Sequence, residues 1–463
     1  MTGSTLLVLL LGLTLLVGFG ADWLATRFRV PDVLWLLALG FIAGPLLGLL
    51  APGSLLVIAP VLGAATLVLI LFDAGIDLRL SEIRPYLGSA LLFALATYFA
   101  SSALLFVVGY WVLFPGHALL SLLFATALGC TSGAVVIPLA RRFEAGIGLR
   151  SFLQLDGAFE DALAVVTVTT IVALRVPSPG PLALTVTASL VLPLPVGIAV
   201  GLAAGLAWLF FLYGWQDRPF AALATLGFLF VVYAAAEALD GSGILAALVL
   251  GVVLGNEPLV RRFLRRTHPF RFSNDLRRVQ TEIAFVLRAF FLFLIGMFAV
   301  LVNPGLRVAL GVGVLVGGLL LLRWLLFSVS ASSGRTPPAW RSPVTALYGR
   351  GLTSAVLLVV ASELIPSVSA VFFPAILLIF GTNVAMTAWL SVRPVRREPA
   401  EPEGAEPWVA AAPEVAALSV ESPPFLFPTS SGSPLAPPRE PELTDDASRP
   451  RHPLPRGEDE RRE

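Results

Sequence analysis

Thirteen runs of apolar residues fill the chain from residue 5 to residue 392. They lie near 5–25, 33–50, 56–76, 86–113, 117–140, 151–175, 185–213, 220–238, 241–256, 282–302, 305–331, 343–364 and 370–392. A helix needs about 20 apolar residues to cross a bilayer, and most of these runs approach or exceed that length. They lack the alternation of apolar and polar residues that marks a membrane barrel strand. Hydrophobic residues make up 57% of the chain and charged residues 13%, against about 25% charged in soluble domains. Such a chain cannot cover its surface with ions. The expected fold is an all-α polytopic membrane protein with about thirteen transmembrane helices. The fourth and seventh runs are long enough to tilt strongly. Met1 to Leu6 carries no basic stretch, so it reads as the lead into the first helix and not as a cleaved signal.

The chain contains no lysine, so its basic residues are all arginines, and any arginine inside the membrane keeps its charge. Loops after odd-numbered runs hold nearly all of them. Arg27 and Arg29 follow the first run, Arg79 and Arg84 the third, and Arg141, Arg142 and Arg150 the fifth. Arg218 follows the seventh, and a cluster from Arg261 to Arg278 follows the ninth. Arg335 and Arg341 follow the eleventh, and Arg393, Arg396 and Arg397 the thirteenth. Loops after even-numbered runs hold Arg175 and Arg307. Arginine marks the cytoplasmic side. The expectation is a multi-pass protein of the plasma (inner) membrane with its N-terminus outside and its C-terminus in the cytoplasm. A miscounted helix in mid-chain would have scrambled this asymmetry downstream.

Other classes are excluded. A net charge of +1 gives no field for nucleic acid. A single cysteine, Cys130, excludes a disulfide framework and a thiolate metal site. His117, His268 and His452 supply no relay inside the membrane. From Arg393 onward the chain is rich in Pro, Glu and Ser, which predicts a disordered cytoplasmic tail over 393–463 after a transmembrane domain over 1–392. The tail has no Gly-rich phosphate loop and no strand–helix alternation, so no nucleotide-binding regulatory domain and no cofactor is expected.

An ionisable residue inside a membrane helix costs roughly 3 kcal/mol or more unless it is paired or hydrated, and is a functional candidate for that reason. The sixth run carries three, in Asp156-Gly157-Ala158-Phe159-Glu160-Asp161. Counted from Ser151, Asp161 lies roughly 15 Å in, near the bilayer midplane. Asp156 and Glu160 are four residues apart and share a helix face. Asp161 points about 100° away from Glu160. Three carboxylates this close cannot all be charged in low dielectric without counterions. One of them is suited to exchanging a proton for a cation. The alternative is a first helical turn bathed in interfacial water. Arg323, in the eleventh run, either needs a carboxylate partner or snorkels to the cytoplasmic face. Arg288, in the tenth, either snorkels or lines a cytoplasmic funnel. Asp73, near the end of the third, either lines that funnel or is an interfacial acid beside Arg79. Glu237, Asp240 and Glu363 read as solvated rims at outer helix ends.

Two runs look broken. The fifth contains Gly129-Cys130-Thr131-Ser132-Gly133, with Pro138 near its end, and the twelfth contains Gly349-Arg350-Gly351-Leu352-Thr353-Ser354. Glycine and hydroxyl residues in mid-membrane suit unwound backbone whose carbonyls and helix-end dipoles face an ion. They also suit close helix packing. Their positions, fifth from the start and second from the end, fit two inverted repeats of six helices around a linker helix.

Together these residues resemble the monovalent cation/proton antiporter superfamily, nearest its sodium/proton exchanger branch, over about residues 5–392. Leu37 to Pro45 looks like the family's Gly-rich second helix, and Leu71 to Asp77 like the end of its third. Thr131-Ser132-Gly133 and Gly349-Arg350-Gly351-Leu352 look like its crossed discontinuous helices. The most specific match is Asp156-Gly157-Ala158-Phe159-Glu160-Asp161, similar to the family's acid-x-x-x-Asn-Asp. The resemblance implies that Asp161 binds cation and proton in turn, with Glu160, Thr131 and Ser132 in the same site, and that Asp156 pairs with Arg323. It also implies a homodimer. Glu160 departs from the pattern, since the exchanger branch has Asn there and the electrogenic branch a second Asp. The expected activity is therefore exchange of sodium, or potassium, for protons by a transporter that is not an enzyme, with stoichiometry left open. The rival readings are a sodium-coupled organic anion symporter on a similar fold, an intramembrane hydrolase using two acids, and an ion channel.

Overall fold

A computed structural model describes residues 3–28, 30–47, 59–142, 145–174, 192–215, 220–263, 274–297 and 305–392. The expected tail over 393–463 lies outside the described residues, as do the start of the seventh run and much of the arginine cluster after the ninth.

All regular structure among the described residues is helical. The first three helices are α1 (Gly3–Phe28), α2 (Asp32–Phe41) and α3 (Ala59–Asp77). Pro45 has no N–H to give, and α2 ends in a wider π-turn over Ile42–Leu46. Next comes α4 (Leu87–Val108). The fifth run forms two helices, α5 (Ala118–Leu128) and α6 (Gly133–Arg142), and α7 (Ile147–Ala173) follows. Then come α8 (Pro193–Trp215), α9 (Ala221–Ala238), α10 (Gly243–Gly255), α11 (Asn274–Met297) and α12 (Gly305–Ser332). The twelfth run is also split, into α13 (Arg341–Ala346) and α14 (Leu352–Leu364), and α15 (Ser369–Val392) closes the described chain. Six of these helices are long and apolar enough to cross a membrane, and shorter apolar helices accompany them.

Two boundaries differ from expectation. The tenth run begins its helix at Asn274, ahead of the apolar stretch, because Asn274 to Gln280 forms a polar first part of α11. The sixth begins at Ile147, and its 27 residues put Asp161 beside the helix midpoint. Counted from the true start, Asp161 lies about 21 Å in.

The helices pack in two groups. In the first, α10 lies between α3 and α8, and α11 packs on α1, α2 and α3. Glycine permits these approaches. A Cβ on Gly251 would fall 2.2 Å from the carbonyl oxygen of Phe72, so α10 and α3 touch backbone to backbone. The second group gathers α4, α7, α12 and α15 around the two split helices, α5–α6 and α13–α14. Between the groups, α14 rests on α3, while α6 and α7 also touch it. Phe93, Phe152, Phe327 and Trp340 form a buried aromatic cluster in the second group. Large apolar side chains such as Phe19, Trp23, Trp111, Phe210, Leu306 and Val314 lie exposed on the outer surface. In water they would be a liability, and against lipid they are what a helix must present.

Candidate cation-binding site

The site forms where the two helix interruptions meet. The N–H of Ser132 donates to the carbonyl of Gly349 at 3.0 Å, tying one break to the other. The guanidinium of Arg350 donates to the carbonyls of Gly129 (3.1 Å) and Cys130 (2.8 Å), just past the end of α5. Those carbonyls carry the negative end of the α5 dipole, and a buried arginine there offsets it. On α15, Asn383 donates to the carbonyl of Arg350 (2.6 Å) and Thr382 accepts from its N–H (3.4 Å). A Cβ on Gly351 would fall 2.7 Å from Val135 and 3.0 Å from Ser132 Oγ, so the second break needs glycine for the crossing itself.

Arg323 reaches the same place from α12. It is 4% exposed, which decides against snorkelling. Its Nη2 is paired with Asp156 Oδ2, and its Nε donates to the carbonyl of Val344 at 2.9 Å, at the end of α13. Its Nη1 donates to Thr131 Oγ1 at 3.2 Å and lies 3.7 Å from Glu160 Oε1. The Phe93 ring covers the guanidinium at 5.2 Å. Each first half-helix thus ends at an arginine, α5 at Arg350 and α13 at Arg323.

Glu160, expected from the sequence in the cation site with Asp161, is held by other groups. Its Oε1 accepts from the Thr97 hydroxyl, and its Oε2 accepts from the backbone N–H of Thr131 at the mouth of α6. It faces Arg323 on the side of Asp156 and does not line the cavity that Asp161 lines. The helix explains this. Residues 156 and 160 share a face, and residue 161 is turned about 100° from 160. Thr131 likewise spends its hydroxyl on Arg323 and its N–H on Glu160. Ser132 Oγ is buried with no hydrogen-bond partner.

Asp161 turns the other way. It is buried, with the side chains of Thr353 and Cys130 against its carboxyl, and its Oδ1 has no hydrogen-bond partner. It lines a cavity of ≈ 250 Å³ whose other walls include the last turn of α3, at Asp73 and Asp77, and Gln154 in the first half of α7. Asp73, Asp77, Gly133, Gln154, Ala158 and Arg288 line the same cavity. Gly133 is brought there by Gly157, where a Cβ would lie 3.0 Å from the Gly133 Cα. Arg288 is held at the rim by Asp32, Nη2 to Oδ2 at 2.7 Å. Asp32 escaped the sequence reading because it sits at the first turn of α2, where an acid needs no other reason.

A second cavity, ≈ 520 Å³, lies at the opposite end of the same helices. Val165 and Thr169 of α7 line it, with Leu67 of α3 and Val356 of α14. Glu237 and Asp240, read as solvated rims, also line it. Glu237 accepts from the Gly243 N–H at 2.8 Å, and Asp240 adopts a left-handed φ of 57° that tightens the turn between α9 and α10. The side chain of Glu363 lies outside the described residues.

A family model described as sodium/hydrogen exchanger, transmembrane, matches residues 11–392. The chain is 29% identical over 242 residues to the K(+)/H(+) antiporter NhaP2 of Shewanella baltica, covering 51% of this chain and 41% of that protein. It is 25% identical over 165 residues to the Na(+)/H(+) antiporter 1 of Methanocaldococcus jannaschii, covering 35% of this chain and 39% of that protein. It thus spans about two fifths of the length of these curated relatives. The solved structure of the sodium proton antiporter MjNhaP1 from Methanocaldococcus jannaschii has the same fold. The TM-score is 0.71 at 19% identity, over 84% of this chain and 100% of that one.

Proposed function

The chain belongs to the sodium/hydrogen exchanger family, and from that premise we propose that it exchanges a monovalent cation for a proton, with Asp161 holding the two in turn. The observation that carries this reading is the division of labour among the three buried carboxylates. Asp156 and Glu160 are engaged by Arg323, Thr97 and Thr131, whereas Asp161 is the one of the three that lines the cavity, where its Oδ1 has no hydrogen-bond partner.

Charge balance supplies the mechanism. With every group ionised, Asp156, Glu160 and Asp161 face Arg323 and Arg350, one negative charge in excess. A proton on Asp161 removes that excess, and so does a monovalent cation. The two loaded forms then carry equal charge and can cross between the two cavities. The empty form carries a bare charge into low dielectric and is penalised. That asymmetry enforces exchange. It also makes the exchange electroneutral, one cation for one proton, despite the carboxylate at position 160. The cation is sodium or potassium, the two that the relatives' names carry.

The wider frame belongs to the same reading. Each of the thirteen apolar runs is taken as a span, with the split helices as equivalent members of two inverted repeats. The arginine asymmetry supports an N-terminus outside and a C-terminus in the cytoplasm, in the plasma (inner) membrane. A homodimer rests on the family resemblance. The organic anion alternative wants arginines available to a substrate, and Arg288, Arg323 and Arg350 are all engaged.

The test is exchange in proteoliposomes with an internal pH dye and a preset proton gradient. Sodium or potassium added outside should dequench the dye at a rate insensitive to a voltage clamp. Asp161→Asn should abolish the signal while the protein stays monodisperse. Normal exchange by Asp161→Asn would sink the assignment.

A further inference from the structure

Gln154 is a buried-edge polar residue that neither the acid motif nor the charge balance uses. It lies on α7 about two turns before Asp161, on the same helix face. Ala158 stands between them, and all three line the ≈ 250 Å³ cavity. Its Nε2 donates to the carbonyl of Ala74 on α3 at 3.0 Å, across the boundary between the two helix groups. That bond fixes which way the amide points. The reverse orientation would set two acceptor oxygens against each other. Among the described hydrogen bonds none engages Oε1, and Oε1 is not among the buried unpartnered atoms. The amide oxygen is therefore held at the cavity wall, free to accept.

A cation moving up this cavity sheds water before it reaches Asp161. An oxygen held by a second bond costs little further ordering when it replaces one of those waters. It also carries no charge, so it does not trap the ion on the way, and its ligand power does not change with pH. We propose that Gln154 is a cation-binding residue of the entry route, whose fixed amide oxygen is a neutral ligand that the cation meets on the cytoplasmic side before Asp161. This rests on the exchange reading above and names a step within it.

The experiment compares everted and right-side-out membrane vesicles containing the full chain. In everted vesicles the added cation meets the cytoplasmic face. There Gln154→Leu should raise KM for sodium about 3- to 10-fold, the worth of one lost ligand bond. The fall in kcat should be smaller. In right-side-out vesicles KM should stay within about 2-fold, below the effect of a lost bond. If Gln154→Leu does not fold, Gln154→Met keeps the side-chain length without the amide and runs the same comparison. Should the wild type exchange only one cation, the difference between the two faces carries the test. An unchanged everted-side KM, an equal rise on both faces, or a rise on the outer face alone would overturn the proposal. Absence of exchange by the wild type would instead overturn the function on which it rests.

Discussion

Replacing Arg323 by methionine keeps most of the side-chain volume and removes the charge and every donor. The structure sets out what is lost. Asp156 loses its pairing with Nη2, the Val344 carbonyl loses a 2.9 Å bond, and Thr131 loses a 3.2 Å bond. Glu160 loses a positive charge 3.7 Å away. Stranding one partner of a buried ion pair costs about 3–5 kcal/mol, and the orphaned carbonyl adds about 1–3 kcal/mol. The total rivals the whole stability of an ordinary domain, so Arg323→Met alone should lose its monodisperse peak on mild heating in detergent. Asp156→Leu alone strands the arginine and should cost a similar amount. Combining them removes both charges and should recover about 2 kcal/mol or more relative to the sum. Recovery stays incomplete because Glu160 is left without its counterion. The assay is a double-mutant cycle on thermal midpoints in one detergent, read by size exclusion. Costs that simply add, with no coupling, would refute the view that these side chains form one buried unit.

Other substitutions test other parts of the site. Glu160→Gln should destabilise by about 1–3 kcal/mol, since its amide must turn a donor toward Thr97 or the Thr131 N–H. It also leaves two acids facing two arginines, so the empty form becomes neutral and the loaded forms charged, and exchange in clamped proteoliposomes should slow and lose its insensitivity to voltage. Gly157→Ala places a Cβ 3.0 Å from the Gly133 Cα and 3.1 Å from its nitrogen, both backbone atoms that cannot swing aside. It should cost about 1–3 kcal/mol and slow exchange, measured by melting and by initial rates on the same preparation.

Much of this arrangement is legible in the chain itself. The helices follow the apolar runs because a bilayer forces backbone groups to bond within a segment. The two breaks follow Gly129 to Gly133 and Gly349 to Gly351, where glycine permits what a side chain would obstruct. Asp161 at the midpoint of α7 follows from residue counting. The arc between residues 160 and 161 also held the role of Glu160, because a residue four after Asp156 shares that residue's neighbours. Family resemblance groups Glu160 with Asp161, and in the structure Glu160 faces Arg323 beside Asp156. Other features depend on contacts distant in sequence. Arg350 caps α5 from more than two hundred residues away, and Asp32 meets Arg288 across a similar span. Glu237 and Asp240 line a cavity only because α3, α7 and α14 close its other walls. Gln154 looks like an ordinary polar residue near a helix start until Ala74 is placed beside it.

The central claim is that a single carboxylate takes a proton or a cation, never both. It is tested most directly by adding saturating cation to weakly buffered, detergent-purified protein and following the proton released with a pH indicator. The wild type should release close to one proton per chain, Glu160→Gln should do the same, and Asp161→Asn should release none. Release by Asp161→Asn equal to that of the wild type, or its loss in Glu160→Gln with a folded protein, would contradict the account.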